Sequence, residues 1–160
     1  MPPSQYKLPK SPHLMPRTVI KRESGFYRQV KEAMKRYSKK LTLTRIESWA
    51  MPGVPDLLLC EPSGRFSMVE LKVTANHAVE LSPHQVSFLT KHQHAPVWIL
   101  ILRQRGMTKP AEVYLYAGRH AIDLRMEGID KVNPVAHETE PVNWANIFRL
   151  MFETGDNKVA

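Results

Sequence analysis

GVPDLLLCEPSGRFSMVELK, residues 53–72, reads as two short strands joined by a Pro/Ser/Gly turn. Asp56 heads the first strand, and Glu70 and Lys72 lie on the second. Side chains two apart on a strand share a face and stand roughly 6.6 Å apart at about 3.3 Å rise per residue, so Glu70 and Lys72 project together while Leu71 points the other way. A hairpin register that sets Asp56 beside Glu70 would bring two carboxylates and an ammonium to one edge of a sheet. Such a set suits a hard divalent cation and a water nucleophile. Each part has an ordinary reading by itself, Glu-x-Lys as a surface ion pair and Pro-Asp as turn chemistry. Together they put three charges where a core sheet normally excludes charge, in VELKV and at the head of an apolar strand, and such charges need one another or a metal.

Working outward, LTLTRIESW before this hairpin alternates apolar and polar residues and is broken by Met51, Pro52 and Gly53. It adds a strand, giving a three-strand antiparallel meander. Trp49 in this run is expected in the core, with stacking on an unpaired base as the alternative. Further upstream, Phe26, Val30, Ala33, Met34 and Tyr37 recur every three or four residues and predict an amphipathic helix over Val19 to Tyr37. Its outer face carries Lys21, Arg22, Arg28, Lys31, Lys35 and Arg36, and Lys39 and Lys40 follow, a face suited to tracking phosphates. Glu23 falls in the first turn, where the macrodipole favours an acid, and Glu32 reads as a solvated charge between lysines. Residues 1–18 form a basic, Pro-rich arm without hydrophobic period, placed to drape on nucleic acid or a partner subunit, or to fray.

Downstream, residues 74–81 look irregular, and Ser82 and Pro83 then provide the N-cap and first position of a helix that runs toward Pro96. VWILIL from Val97 is a strand buried on both faces, and Ala111 to Ala117 alternates as another. Arg103, Gln104, Arg105 and Lys109 make a basic turn between them, a second place for phosphate contact. Over Arg119 to Pro141 a short helix should end at Gly128 and KVNPVAHETEP should be loop. Trp144, Ile147, Phe148, Met151 and Phe152 predict a C-terminal helix, and residues 154–160 a frayed tail.

The 160 residues fit one domain, over 19–153, and the formal charge of +8 with pI near 9.7 points to a polyanionic partner. Cys60 is the only cysteine, which excludes an intrachain disulfide framework and a thiolate zinc cluster and suits a reducing, cytoplasmic compartment; Cys60 itself reads as a small core side chain. No run approaches the roughly 18 apolar residues of a membrane span, and the first residues lack the apolar core of an export signal. His77, His84, His92 and His94 lack zinc-ligand spacing, and there is no Gly-rich phosphate loop.

Pro55 and Asp56, with Glu70, Leu71 and Lys72, resemble the two halves of the motif of the PD-(D/E)xK nuclease superfamily. A leading helix with an acid matches at Glu23, a Gly-x-Pro-Asp lead-in at Gly53 to Asp56, and a Ser-x-x-Gln helix at Ser82 to Gln85. The ensemble, over roughly residues 20 to 102, is most similar to the small phage and archaeal Holliday-junction resolvases and the related VRR-NUC group. The resemblance implies an α/β core, a mixed central β-sheet of about five strands flanked by helices. It implies that Asp56 and Glu70, with the Leu71 carbonyl, bind Mg²⁺ or Mn²⁺, and that Glu23 contributes, a role Glu32 or Glu47 could also claim. Lys72 would orient the water or stabilise charge on the scissile phosphate, and Gln85 would lie near the site. The implied activity is structure-selective nicking of branched DNA, above all the four-way junction, by a homodimer whose contact patch is sought at Trp98 to Leu102 or the C-terminal helix. Alternatives are a flap or restriction-type nuclease on the same fold and, from another class, a non-catalytic DNA-binding accessory protein.

Overall fold

The computed structural model describes residues 19–153. The expected arm of 1–18 and tail of 154–160 lie outside the described residues. In chain order the elements are α1 (Glu23–Tyr37), β1 (Thr42–Arg45), β2 (Leu57–Cys60), β3 (Phe66–Thr74), α2 (Pro83–Lys91), β4 (Val97–Arg103), β5 (Glu112–Ala117), α3 (Ala121–Glu127), β6 (Ala136–Thr139) and α4 (Trp144–Glu153). The six strands lie side by side in that order in one open, mixed sheet, α/β in class. The meander β1-β2-β3 is antiparallel, β3 and β4 run parallel from Met68↔Val97 to Thr74↔Arg103, and β5 and β6 return antiparallel. Parallel neighbours need a crossover, and the segment containing α2 supplies it.

Apolar side chains dictate which face each helix covers. On one face Leu57, Leu59, Val69, Leu71, Leu100 and Leu102 pack with Phe26, Val30, Ala33 and Met34 of α1 and Ile147, Phe148 and Met151 of α4. On the other, Ile99, Ile101, Tyr114 and Tyr116 pack with Leu89 of α2 and Leu124 of α3. The alternation along β4 explains its unbroken apolar run, since a central strand covered on both sides has no wet face. Tyr37 completes the α1 stripe by packing its ring 5.3 Å from that of Phe148.

Several expectations need correction. Helix α1 starts at Glu23 rather than Val19, because Arg22 is extended (φ −136°, ψ 151°) and Glu23 is the acid that meets the helix dipole. Helix α2 stops at Lys91, before Pro96, with His92 as C-cap. KVNPVAHETEP is not all loop: Ala136–Thr139 forms β6, making six strands where about five were expected. Only Ala136 of that strand is buried, so its polar edge carries no apolar alternation to read. Cys60 is half-buried rather than in the core. Trp98 to Leu102 are 0–5% exposed and offer no contact patch, whereas α4 sets Ile147, Phe148 and Met151 into the core and keeps Trp144, Leu150 and Phe152 partly exposed. No helix among the described residues is long and apolar enough to cross a membrane.

The loop that leads to Asp56 is tied to α2 by Gly53. Its φ of +92° is left-handed, and a Cβ there would meet the His84 carbonyl oxygen at 2.3 Å. Gly53→Ala therefore adds backbone strain to a clash and is expected to destabilise the protein by more than about 1 kcal/mol; the urea midpoint measures this. Gly64→Ala is the control for strain alone, because Gly64 also has positive φ but open space around it.

Candidate active site

The site lies where β3 outruns β2. Their ladder ends at Leu57↔Val69, and one further step in that register sets Asp56 opposite Glu70. Beyond the ladder the Leu71 N–H would lose its strand partner, and Asp56 replaces it: the N–H donates to Asp56 Oδ2 at 2.8 Å. A strand residue presents its N–H and C=O along the same edge, so the Leu71 carbonyl also faces the side on which Asp56 stands.

Glu70 and Lys72 project to the α2 face, opposite to Leu71. Glu70 is 1% exposed, in the company of apolar strands. Its Oε1 accepts from Gln85 Nε2 at 2.6 Å and lies 3.3 Å from Lys72 Nζ, while Oε2 is buried without a hydrogen-bond partner among the described residues. Gln85 is held at both ends of its amide. Its Oε1 accepts from the Ser82 N–H at 2.9 Å, and its own N–H donates to Ser82 Oγ at 3.2 Å, a capping box that leaves only Nε2 to face Glu70. Gln85 is therefore half-buried against the acid and positions it.

Burial raises the pKa of Glu70 most, and Asp56 adds to the rise; the Lys72 charge and hydrogen bond oppose it, Glu23 adds a smaller upward push, and the result is about 8. Asp56 is likewise raised by burial, against the Leu71 N–H and the charges of Lys72 and Arg45, with Glu23 pushing it up. For both carboxyls burial outweighs the positive charge that Lys72 and Arg45 bring near. Glu23 is exposed at the start of α1, near enough to act on both acids through its charge. Among the described residues no three His, Cys, Asp or Glu side chains form a group able to hold an ion by themselves. Glu32 pairs with Lys35 at 3.4 Å and Glu47 with Arg45 at 3.7 Å, all exposed.

The expected phosphate-contacting residues fall into two groups. Lys21, Arg22, Arg28, Lys31, Lys35, Arg36, Lys39 and Lys40 are all exposed. Lys31, Lys35 and Lys39 line a groove of about 380 Å³ between α1 and β1, floored by Met34, Leu41 and Leu43. Arg103 and Arg105 are engaged elsewhere: Arg103 Nη1 lies 2.9 Å from Asp130, and Arg105 Nη2 lies 2.8 Å from Glu112. One cation escaped the sequence reading. Arg45, at the end of β1, stacks its guanidinium 5.0 Å from the Tyr27 ring centre, with Lys31 Nζ 6.0 Å from the same ring, so it links the basic groove to Asp56. Only the register Arg45↔Leu57 reveals it. Trp49, expected in the core, is instead 95% exposed on the loop between β1 and Asp56.

Comparison of the chain with protein-family models, with curated proteins and with solved structures gave no match.

Glu70 keeps its proton in the folded chain up to about pH 8, whereas an ordinary glutamate loses it near 4.5. The folded state binds the extra proton across that window, so stability is greatest below it and falls as pH rises through it, by on the order of 5 kcal/mol at about 1.4 kcal/mol per pKa unit. In chelator-containing buffer the urea midpoint of the wild type is expected to decline from pH 5 to 8 relative to Glu70→Gln. A difference between the two proteins that stays constant with pH would show that Glu70 carries no such shift.

Proposed function

We propose that the protein is a divalent-metal-dependent endonuclease of the PD-(D/E)xK type that nicks branched DNA, the four-way junction above all. The observation that carries this reading is the bare, buried Oε2 of Glu70 opposite Asp56, beside the Lys72 ammonium. A cation that displaces the Glu70 proton would give this buried, unpartnered oxygen its ligand. Two hard oxygen donors, with a backbone carbonyl on the same edge, fit Mg²⁺ or Mn²⁺. Asp56, Glu70 and the Leu71 carbonyl would hold the cation, with water and phosphate oxygens in the remaining positions and Glu23 acting through its charge. The bound cation would supply Lewis-acid polarisation of the phosphate and a water of lowered pKa.

The chain's own groups do the rest. Lys72 is fixed by Glu70 before substrate arrives, so its charge can orient the attacking water or meet the developing negative charge without reorganisation. Gln85 keeps Glu70 in place through the α2 cap. Water gives up a proton to solvent as its oxygen adds to phosphorus, the P–O bond to one sugar oxygen breaks, and the departing oxygen takes up a proton from solvent, leaving a phosphate monoester and a hydroxyl end. The cations from Lys39 through Lys35 and Lys31 to Arg45 suit a phosphate backbone led toward Asp56. A homodimer would supply two such sites for paired nicks.

The test offers the protein a labelled four-way junction, a flap and a linear duplex, in Mg²⁺ and in EDTA. Paired symmetric nicks confined to the junction and to Mg²⁺ are expected. Equal cutting of all three removes junction selectivity, and no cutting with any divalent metal removes the enzyme reading in favour of an accessory DNA-binding role. Asp56→Asn should abolish cleavage yet keep DNA affinity in EDTA, and Lys72→Ala should slow cleavage by about 10²–10³-fold.

A further inference from the structure

Trp49 is the largest apolar side chain that the fold leaves outside. It is 95% exposed and neighbours Met51 at 65%, whereas Trp98 is 5% exposed and Trp144 packs its ring 5.7 Å from Phe148. Packing within the fold does not use this indole, and tryptophan, with an apolar body and a polar N–H, is enriched where proteins make contacts. The loop that presents it is well anchored. At its root the Ile46 N–H donates to the Asp56 carbonyl at 2.7 Å; at its bend the Met51 N–H donates to Ser48 Oγ at 3.2 Å; and Gly53 is pressed on the backbone of His84. The indole is thus held out from a fixed base, whose two stems are Arg45 and Asp56.

We propose that Trp49 stacks on an unpaired base of the DNA strand whose phosphate lies at Asp56. The inference rests on the nuclease reading and adds to it the feature of DNA that is recognised, an unstacked base at a branch or gap. Charge complementarity favours this occupant: Arg45 and Lys31 flank the Tyr27 ring at the root of the loop, and the chain carries a formal charge of +8. Indole faces accept any base, which suits a site that reads DNA form and not sequence. Trp49 lies seven positions before Asp56, a reach of at most about 25 Å, so the stacked base belongs to the same stretch of strand as the scissile phosphate.

Binding is measured in EDTA, where no cleavage intervenes, with a four-way junction, a single-stranded oligonucleotide and a linear duplex. Junction and single strand are expected to quench indole fluorescence saturably, and the duplex is not. Trp49→Ala should weaken junction and single-strand binding by about tenfold, leave duplex binding unchanged and keep the wild-type melting curve. Trp49→Phe should retain most of the affinity while removing the quench. Binding without quenching, with Trp49→Ala unchanged, overturns the stacking and leaves the nuclease reading intact. Equal loss on all three DNAs also overturns it, as does a dimer that dissociates on Trp49→Ala with no quench by single strand, which would make the loop a self-association surface. A wild type that binds no DNA and cuts none overturns the nuclease reading itself.

Discussion

The buried carboxyl of Glu70 ties the architecture together. Its Oε1 is held by Gln85, whose other amide end caps α2, and by Lys72 two residues along the same strand. Its neighbour across the sheet edge, Asp56, fastens the chain that enters β2 through the Leu71 N–H. One polar network therefore joins β3, the loop before β2 and the N-terminus of α2. Removing Glu70 leaves both Gln85 Nε2 and the Lys72 ammonium without this partner, and removing Asp56 does the same to the Leu71 N–H.

That network can exist only because β3 is longer than β2. Nine residues of β3 face four of β2, so the far half of β3 pairs with β4 alone and has an open edge. A side-chain carboxylate then fills a backbone ladder position, a geometry that brings an acid against the strand. The Leu71 carbonyl lies on that same open edge. Sheet truncation and acid placement are thus one structural event, and the parallel β3-β4 pairing supplies the rigid support behind it.

Charge is distributed unevenly around this edge. Exposed lysines and arginines follow α1 and its exit, and the Tyr27 ring carries that line across to Arg45. Arg103 and Arg105, equally basic in the sequence, are instead absorbed by Asp130 and Glu112. Composition counts both groups alike. Their difference is a matter of which carboxylates the folded sheet brings within reach, and screening or pairing decides which charges remain for a polyanion.

Local pattern determined much of this protein. The 3.6-residue stripe of Phe26, Val30, Ala33 and Met34, the two apolar strand runs that carry Asp56 and Glu70, and the Ser82-Pro83-Gln85 cap are each readable because their physics is confined to a few neighbouring residues. Strand β6 was not readable, since its pairing with β5 and not its own AHET pattern makes it a strand. The exposure of Trp49 was equally hidden: an indole beside Met-Pro-Gly reads the same in a core or on a loop. That Glu70 and Lys72 share a face follows from their spacing alone, because the two-residue period of a strand requires it. The burial of Glu70 beside α2, the closing of the edge at Leu71 by Asp56 and the reach of Arg45 to the site arise in the folded chain alone. Those contacts join residues distant along the chain, and burial and electrostatics depend on the surroundings that such contacts create.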